Sequence, residues 1–145
     1  FPSSSDLVEI LTRTTGKDMP ATQKVADGAM ILRMGQMARQ TPVASHVSEY
    51  VARLVVATHP EHPSATPRVK QFVRYGASPR GAQAIILGAK VVSIMSGRYN
   101  VAFEDIAIVA PAALRHRLLL NFEGQAEAVS TDDIVAELLN TVPKQ

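Results

Sequence analysis

From Arg80 to Ser96 nearly every position is apolar, and the interruptions at Arg80, Gln83, Lys90, Ser93 and Ser96 are too sparse to form a polar face. Ile85, Ile86, Leu87, Val91, Val92, Ile94 and Met95 cover most of the circumference of the helix this stretch predicts. Such a helix should be buried on most sides. Its limits are legible too. Ser78 stands at the N-cap, where its hydroxyl can accept a first-turn N–H. Pro79 takes the first helical position, where a missing N–H costs nothing. Gly97 can adopt the left-handed conformation that stops a helix. Arg80 is then a permanent cation near the positive end of the helix dipole, and an anion is expected to offset it.

The flanking pattern is helical throughout. Val47, Tyr50, Val51, Leu54, Val55 and Thr58 follow three-four spacing behind a capping Ser45. Residues 27–40 predict another helix, with Ile31, Leu32, Met34, Met37 and Ala38 as its apolar content and the methionines as flexible core filler. Gly28 and Gly35 weaken it, and Thr41-Pro42 breaks it. Ahead of it, Ser3-Ser4-Ser5-Asp6 starts a helix with Leu7, Ile10 and Leu11 on one face, ended by a cap and loop at Thr14-Thr15-Gly16-Lys17-Asp18. Residues 59–67 hold three prolines and read as a loop, and Val69, Phe72, Val73 and Tyr75 as a short helix or extended turn. Glu104 and Asp105 open a helix whose inner face is Ile106, Val109, Ala110, Ala113, Leu114 and Leu118, with a bend or break at Pro111. It ends at Arg115-His116-Arg117. Asn121 to Ser130 reads as a loop, and Thr131-Asp132-Asp133 begins a last helix docked by Ile134, Leu138 and Leu139. No segment alternates convincingly as a strand, so the fold class is all-α, a bundle of five to seven helices.

At 145 residues with 46% hydrophobic and 19% charged positions, the chain is one globular domain by length and composition. It contains no cysteine, which excludes a disulfide framework or a thiolate metal site and fits a reducing, cytoplasmic compartment. No apolar run approaches the roughly 18 residues of a membrane span. The first residue, Phe1, suggests a piece of something longer. Charge is segregated: residues 68–117 carry eight basic and two acidic side chains, residues 118–145 one basic and five acidic. A basic middle suits phosphates, of a nucleotide or of nucleic acid, or is a solvated surface balanced by the acidic tail.

Several chemistries fail on spacing. Thr15-Gly16-Lys17-Asp18 lacks the second glycine and the hydroxyl residue of a P-loop. His59 and His62 are set among prolines that argue against helical presentation of a metal, and no metal site is expected. Gly76-Ala77-Ser78-Pro79-Arg80 is not a nucleophile elbow, because Arg80 replaces the second glycine.

Taken in order, Gly76-Ala77-Ser78-Pro79-Arg80, the apolar helix, Gly97-Arg98-Tyr99-Asn100-Val101, Glu104-Asp105-Ile106 and Leu114-Arg115-His116-Arg117-Leu118 resemble the helical lid of MoxR-type AAA+ ATPases. The resemblance extends over about residues 1–142, with Phe1-Pro2 and Ile10-Leu11 matching a Tyr-Pro step and an Ile-Leu helix at the junction of core and lid. Departures are Leu7 for the usual Glu, Ala102-Phe103 for Thr-Pro, and Ala57-Thr58-His59 for Ala-Thr-Arg; the role of that last arginine does not carry over. The resemblance implies a helical segment at 1–58 joining the AAA+ core to the lid, a loop and connector at 59–74, and lid helices at 75–145. It implies that Arg80 is the sensor-2 arginine, with Ser78 and Pro79 presenting it to nucleotide, and that Arg115 or Arg117 is a candidate for a nucleotide or neighbouring-subunit contact. For the parent it implies ATP and Mg²⁺ bound between core and lid, a ring homo-oligomer, hexameric by family habit, and chaperone-like maturation of partner complexes with a von Willebrand factor A domain protein. Without the core's P-loop, this segment alone is expected neither to bind nucleotide nor to hydrolyse it. The alternative is a helical nucleic-acid-binding or protein-interaction module with no nucleotide role. The apolar central helix and the lack of an aromatic stacking platform speak against nucleic acid.

Overall fold

The computed structural model describes residues 1–17 and 21–144, so Asp18 of the first predicted loop lies outside the described residues. The chain divides into two compact units, 1–32 and 33–145. In the first, α1 (Ser4–Thr15) starts with a capping box: the Ser3 hydroxyl accepts the Asp6 N–H, and the Asp6 carboxylate accepts the Ser3 N–H at 3.0 Å. Neither α1 nor α2 (Gly28–Gln40) buries a residue, so the Met34 and Met37 stripe is not core filler within this chain.

The core belongs to the second unit. In α3 (Ser45–Val56) the predicted face is buried at Val47, Tyr50, Val51, Leu54 and Val55, and Thr58 just beyond is buried as well. Ala44 takes the N-cap position without a side-chain bond, so Ser45 is the first helical residue and does not cap. Thr66 caps α4 (Pro67–Phe72), which runs into β1 (Val73–Tyr75). Next come α5 (Pro79–Met95), α6 (Phe103–Leu114) and β2 (Leu119–Leu120), then α7 (Phe122–Ala126) and α8 (Thr131–Thr141). Among the described residues there are thus eight helices, with one short antiparallel β1–β2 pairing that aligns Val73 with Leu120. The sequence pattern missed α7 because tertiary contacts set it. Asn121 hydrogen-bonds to the Gln71 carbonyl and caps Gly124, and Gly124 lies so close to Phe72 that a Cβ would meet its carbonyl oxygen at 3.0 Å.

Packing on α5 departs from expectation. α3 and α6 cover the row Gly81, Ile85, Ala89 and Ser93 and its flanks. The opposite row stays exposed, up to 82% at Met95, with Leu87 and Val91 beside it. Two neighbouring helices cannot enclose a third, so an apolar circumference did not translate into burial on most sides. α6 continues through Pro111 to Leu114 without the predicted break. Its inner residues meet α8 through a core that includes Ile106, Leu114, Ile134 and Leu138.

Candidate nucleotide-sensing site

The local structure around Arg80 begins at the end of α3. Thr58 is fully buried; its hydroxyl donates back to the Val55 carbonyl at 2.6 Å and accepts the Ala77 N–H at 2.9 Å. His59 Nε2 donates to the Ala77 carbonyl at 3.1 Å, which fixes the proton on that nitrogen because a carbonyl only accepts. His59 is therefore half-buried and engaged, not part of a solvated loop. His62, turned elsewhere, is bonded to Ser64. Gly76 presses on the same threonine: a Cβ there would lie 2.6 Å from Thr58 Oγ1 and 2.7 Å from its carbonyl oxygen.

From this held segment the chain enters α5. Ser78 occupies the N-cap position with extended backbone, but its hydroxyl makes no capping bond. Pro79 follows at the first helical position, as its fixed φ favours. Arg80 is exposed in the first turn of this 17-residue helix. Among the described residues no carboxylate lies within ion-pair distance of it. The first turn of α5 also has no acidic residue to complement its dipole. Arg117 comes to the same corner from the end of α6: a Cβ on Gly81 would sit 3.3 Å from Leu114 Cδ2 and 3.6 Å from Arg117 Cδ. Its Nε donates to the Ala113 carbonyl at 3.0 Å, and among the described residues no carboxylate pairs with it. Arg115 points away, paired with Asp132 at 3.0 Å.

At its other end α5 stops as predicted. Gly97 has φ +71°, its N–H bonds the Ile94 carbonyl at 2.9 Å, and the Arg98 N–H bonds the Ser93 carbonyl at 2.8 Å. This is a Schellman turn. Arg98 then reaches Asp105, which is fully buried and also accepts the Ala102 N–H at 2.8 Å. Asp105 thus replaces the missing side-chain cap of α6. Burial alone would raise its carboxyl pKa, but the hydrogen bonds and charge of Arg98 with the Ala102 N–H outweigh that and hold it below the usual carboxylate value.

Among the described residues no three His, Asp or Glu side chains gather as a metal-binding cluster. The cations Arg80 and Arg117 suit a phosphate and are not themselves ligands for Mg²⁺, which takes oxygen donors. No described helix is long and apolar enough to cross a membrane.

Residues 65–138 match the AAA lid domain family, and the chain belongs to it. Its all-α bundle fits the lid-bearing portion of a MoxR-type ATPase. Over 142 residues, 98% of this chain, it is 32% identical to the chaperone MoxR1 of Mycobacterium tuberculosis, of which it spans 37%. It is also 32% identical over 96 residues to YeaC of Bacillus subtilis, an uncharacterised protein; that alignment takes in 66% of this chain and 27% of YeaC. A crystal structure of a provisionally described ATPase from Cytophaga hutchinsonii superposes with a TM-score of 0.82 at 26% identity, over 99% of this chain and 44% of that one. The chain spans less than half the length of these relatives.

Proposed function

We propose that this segment is the lid of a MoxR-type ATPase in which Arg80 is the sensor-2 residue, contacting the phosphates of a nucleotide held against the AAA+ core. The observation that carries the reading is an exposed arginine without a carboxylate partner among the described residues, placed where the α5 dipole disfavours a cation. An anionic ligand resolves that mismatch. Arg117, packed over Gly81, adds positive potential at the same corner. Ser78 and Pro79 act through backbone, since the Ser78 hydroxyl is not engaged.

Bound between lid and core, ATP with Mg²⁺ would supply a γ-phosphate whose developing charge Arg80 stabilises; such reactions depend mostly on positioning and charge. Loss of that phosphate would remove a charge-assisted contact and release the lid, converting one bond into a domain motion. Parent molecules would assemble as a ring, hexameric by family resemblance, in which lid motion drives chaperone-like maturation of client complexes. The chaperone description of MoxR1 supports that role, and a von Willebrand factor A domain protein is the proposed partner. The parent's segments are proposed as a joining helical portion at 1–58, a connector at 59–74 and the lid at 75–145, and its compartment as the cytoplasm.

The nucleic-acid reading loses its footing in the ion pairs. Arg68 lies 3.3 Å from Glu137, and Arg115 pairs with Asp132, so the acidic tail neutralises part of the basic middle. Arg98 is spent on Asp105, and Lys90 donates to the Arg39 carbonyl at 2.9 Å. The test is nucleotide preference of the full-length parent. Wild type should bind ATP more tightly than ADP, and Arg80→Ala should shrink that preference by roughly 10-fold or more, the scale of one charged hydrogen bond. An unchanged preference would remove the sensor assignment.

A further inference from the structure

We propose that Thr58 and His59 are positioning residues for Arg80: together they clamp both backbone polar groups of Ala77, from which the arginine is presented. The inference rests on the reading that Arg80 contacts nucleotide. Both backbone groups of Ala77 are taken by side chains of one dipeptide, the N–H by the Thr58 hydroxyl at 2.9 Å and the carbonyl by His59 Nε2 at 3.1 Å. The threonine is itself anchored, because its own proton goes to the Val55 carbonyl of α3. Gly76 completes the clamp, since any larger residue would collide with Thr58.

Among the described residues no other side chain hydrogen-bonds to the Ala77 backbone. Ser78 leaves the cap unmade, so the helix end has no side-chain lock of its own. Between Ala77 and Arg80 stand an extended Ser78 and the φ-restricted Pro79, a short stiff link with little freedom to absorb a shift. Movement of Ala77 therefore passes to Arg80. The buried end of α3 becomes the reference from which the guanidinium is aimed, across 19 residues of sequence. His59 takes part through its ring N–H. That contact is this chain's own and needs no analogy to an arginine at the same place.

The experiment is steady-state ATP turnover and equilibrium ATP binding of the full-length parent carrying Thr58→Val, Thr58→Ser, His59→Ala and Arg80→Ala, singly and with Arg80→Ala combined. Thr58→Val keeps the shape and deletes both hydrogen bonds. It should lower kcat by about 10-fold or more with a smaller change in ATP affinity, the pattern of a misplaced catalytic group. Thr58→Ser should recover most of the loss. His59→Ala, at a half-buried position, should lower kcat a few-fold. On the Arg80→Ala background both losses should vanish, because a positioning residue has nothing left to position. Wild-type turnover of Thr58→Val and His59→Ala beside a slow Arg80→Ala overturns the clamp alone. Losses that persist in full on the Arg80→Ala background also overturn it, showing general damage to the fold. Wild-type turnover of Arg80→Ala overturns the sensor reading, and the clamp's role with it.

Discussion

The guanidinium of Arg98 closes on the buried carboxylate of Asp105 with two hydrogen bonds, 3.0 Å from Nη1 and 2.5 Å from Nη2. Arg98 has just left the end of α5 and Asp105 stands in the first turn of α6, so the pair fastens the turn between the two helices that pack most extensively. Its third contact, to the Ala102 N–H, satisfies a donor that alanine cannot cap. The Gly-Arg-Tyr and Glu-Asp-Ile motifs are thus one structural device.

Removing one partner leaves a charge or a donor stranded. Breaking a fully buried pair costs about 3–5 kcal/mol, and the partial exposure of Arg98 reduces that, so Asp105→Asn should destabilise the fold by about 2–3 kcal/mol in denaturant titration. Arg98→Ala should destabilise it as well, by leaving the buried Asp105 carboxylate unpaired. The double variant should cost clearly less than the sum of the two.

The same pair sets an acid limit. Because the Asp105 carboxyl is held below its usual 3.8 in the folded state, its contribution is fully present above that value. It is lost as pH falls through the lower folded value, where the folded carboxylate must take up a proton. Urea midpoints measured downward from pH 5 should fall more steeply for wild type than for Asp105→Asn, and the two curves should converge at the acid end.

At Gly88 α5 packs tightly against α6. A Cβ there would lie 2.7 Å from Val109 Cγ1, and a β-branched side chain cannot easily swing aside. Gly88→Ala should therefore destabilise by about 1–3 kcal/mol despite alanine's better helix propensity. Adding Val109→Ala should recover part of the loss, and thermal unfolding of the three variants measures it.

Gly97 makes the opposite case. Open space surrounds it, so only its φ of +71° resists a side chain. Gly97→Ala should cost about 1–2 kcal/mol, and Gly97→Asn less, because asparagine tolerates the left-handed region. Equal stability of all three would show that the Schellman turn does not depend on glycine.

How far the sequence foretold the structure divides along local and distant effects. The start of α5 at Pro79, its stop at Gly97 and the buried face of α3 were legible because each is decided within a few residues. So was the first-turn placement of Arg80. The Ser78 cap failed although the position was right: the hydroxyl is not used, and Ala77 is held instead by residues 18 and 19 places earlier. No spacing rule reveals such a contact. The same holds for Arg117 over Gly81, for the β1–β2 pairing, and for α7, whose cap is tied to the Gln71 backbone. Hydrophobicity misled at Leu87, Val91 and Met95, because composition does not say how many neighbours a helix has.

The central claim is that Arg80 acts on nucleotide phosphate, and ATP turnover by the full-length parent, wild type against Arg80→Ala, tests it most directly. The account predicts a fall of roughly two to three orders of magnitude, the size associated with one lost transition-state charge contact, with thermal stability retained and ATP binding weakened only on the roughly 10-fold scale of one charged hydrogen bond. Turnover equal to wild type would contradict it and leave Arg80 a surface charge of the lid.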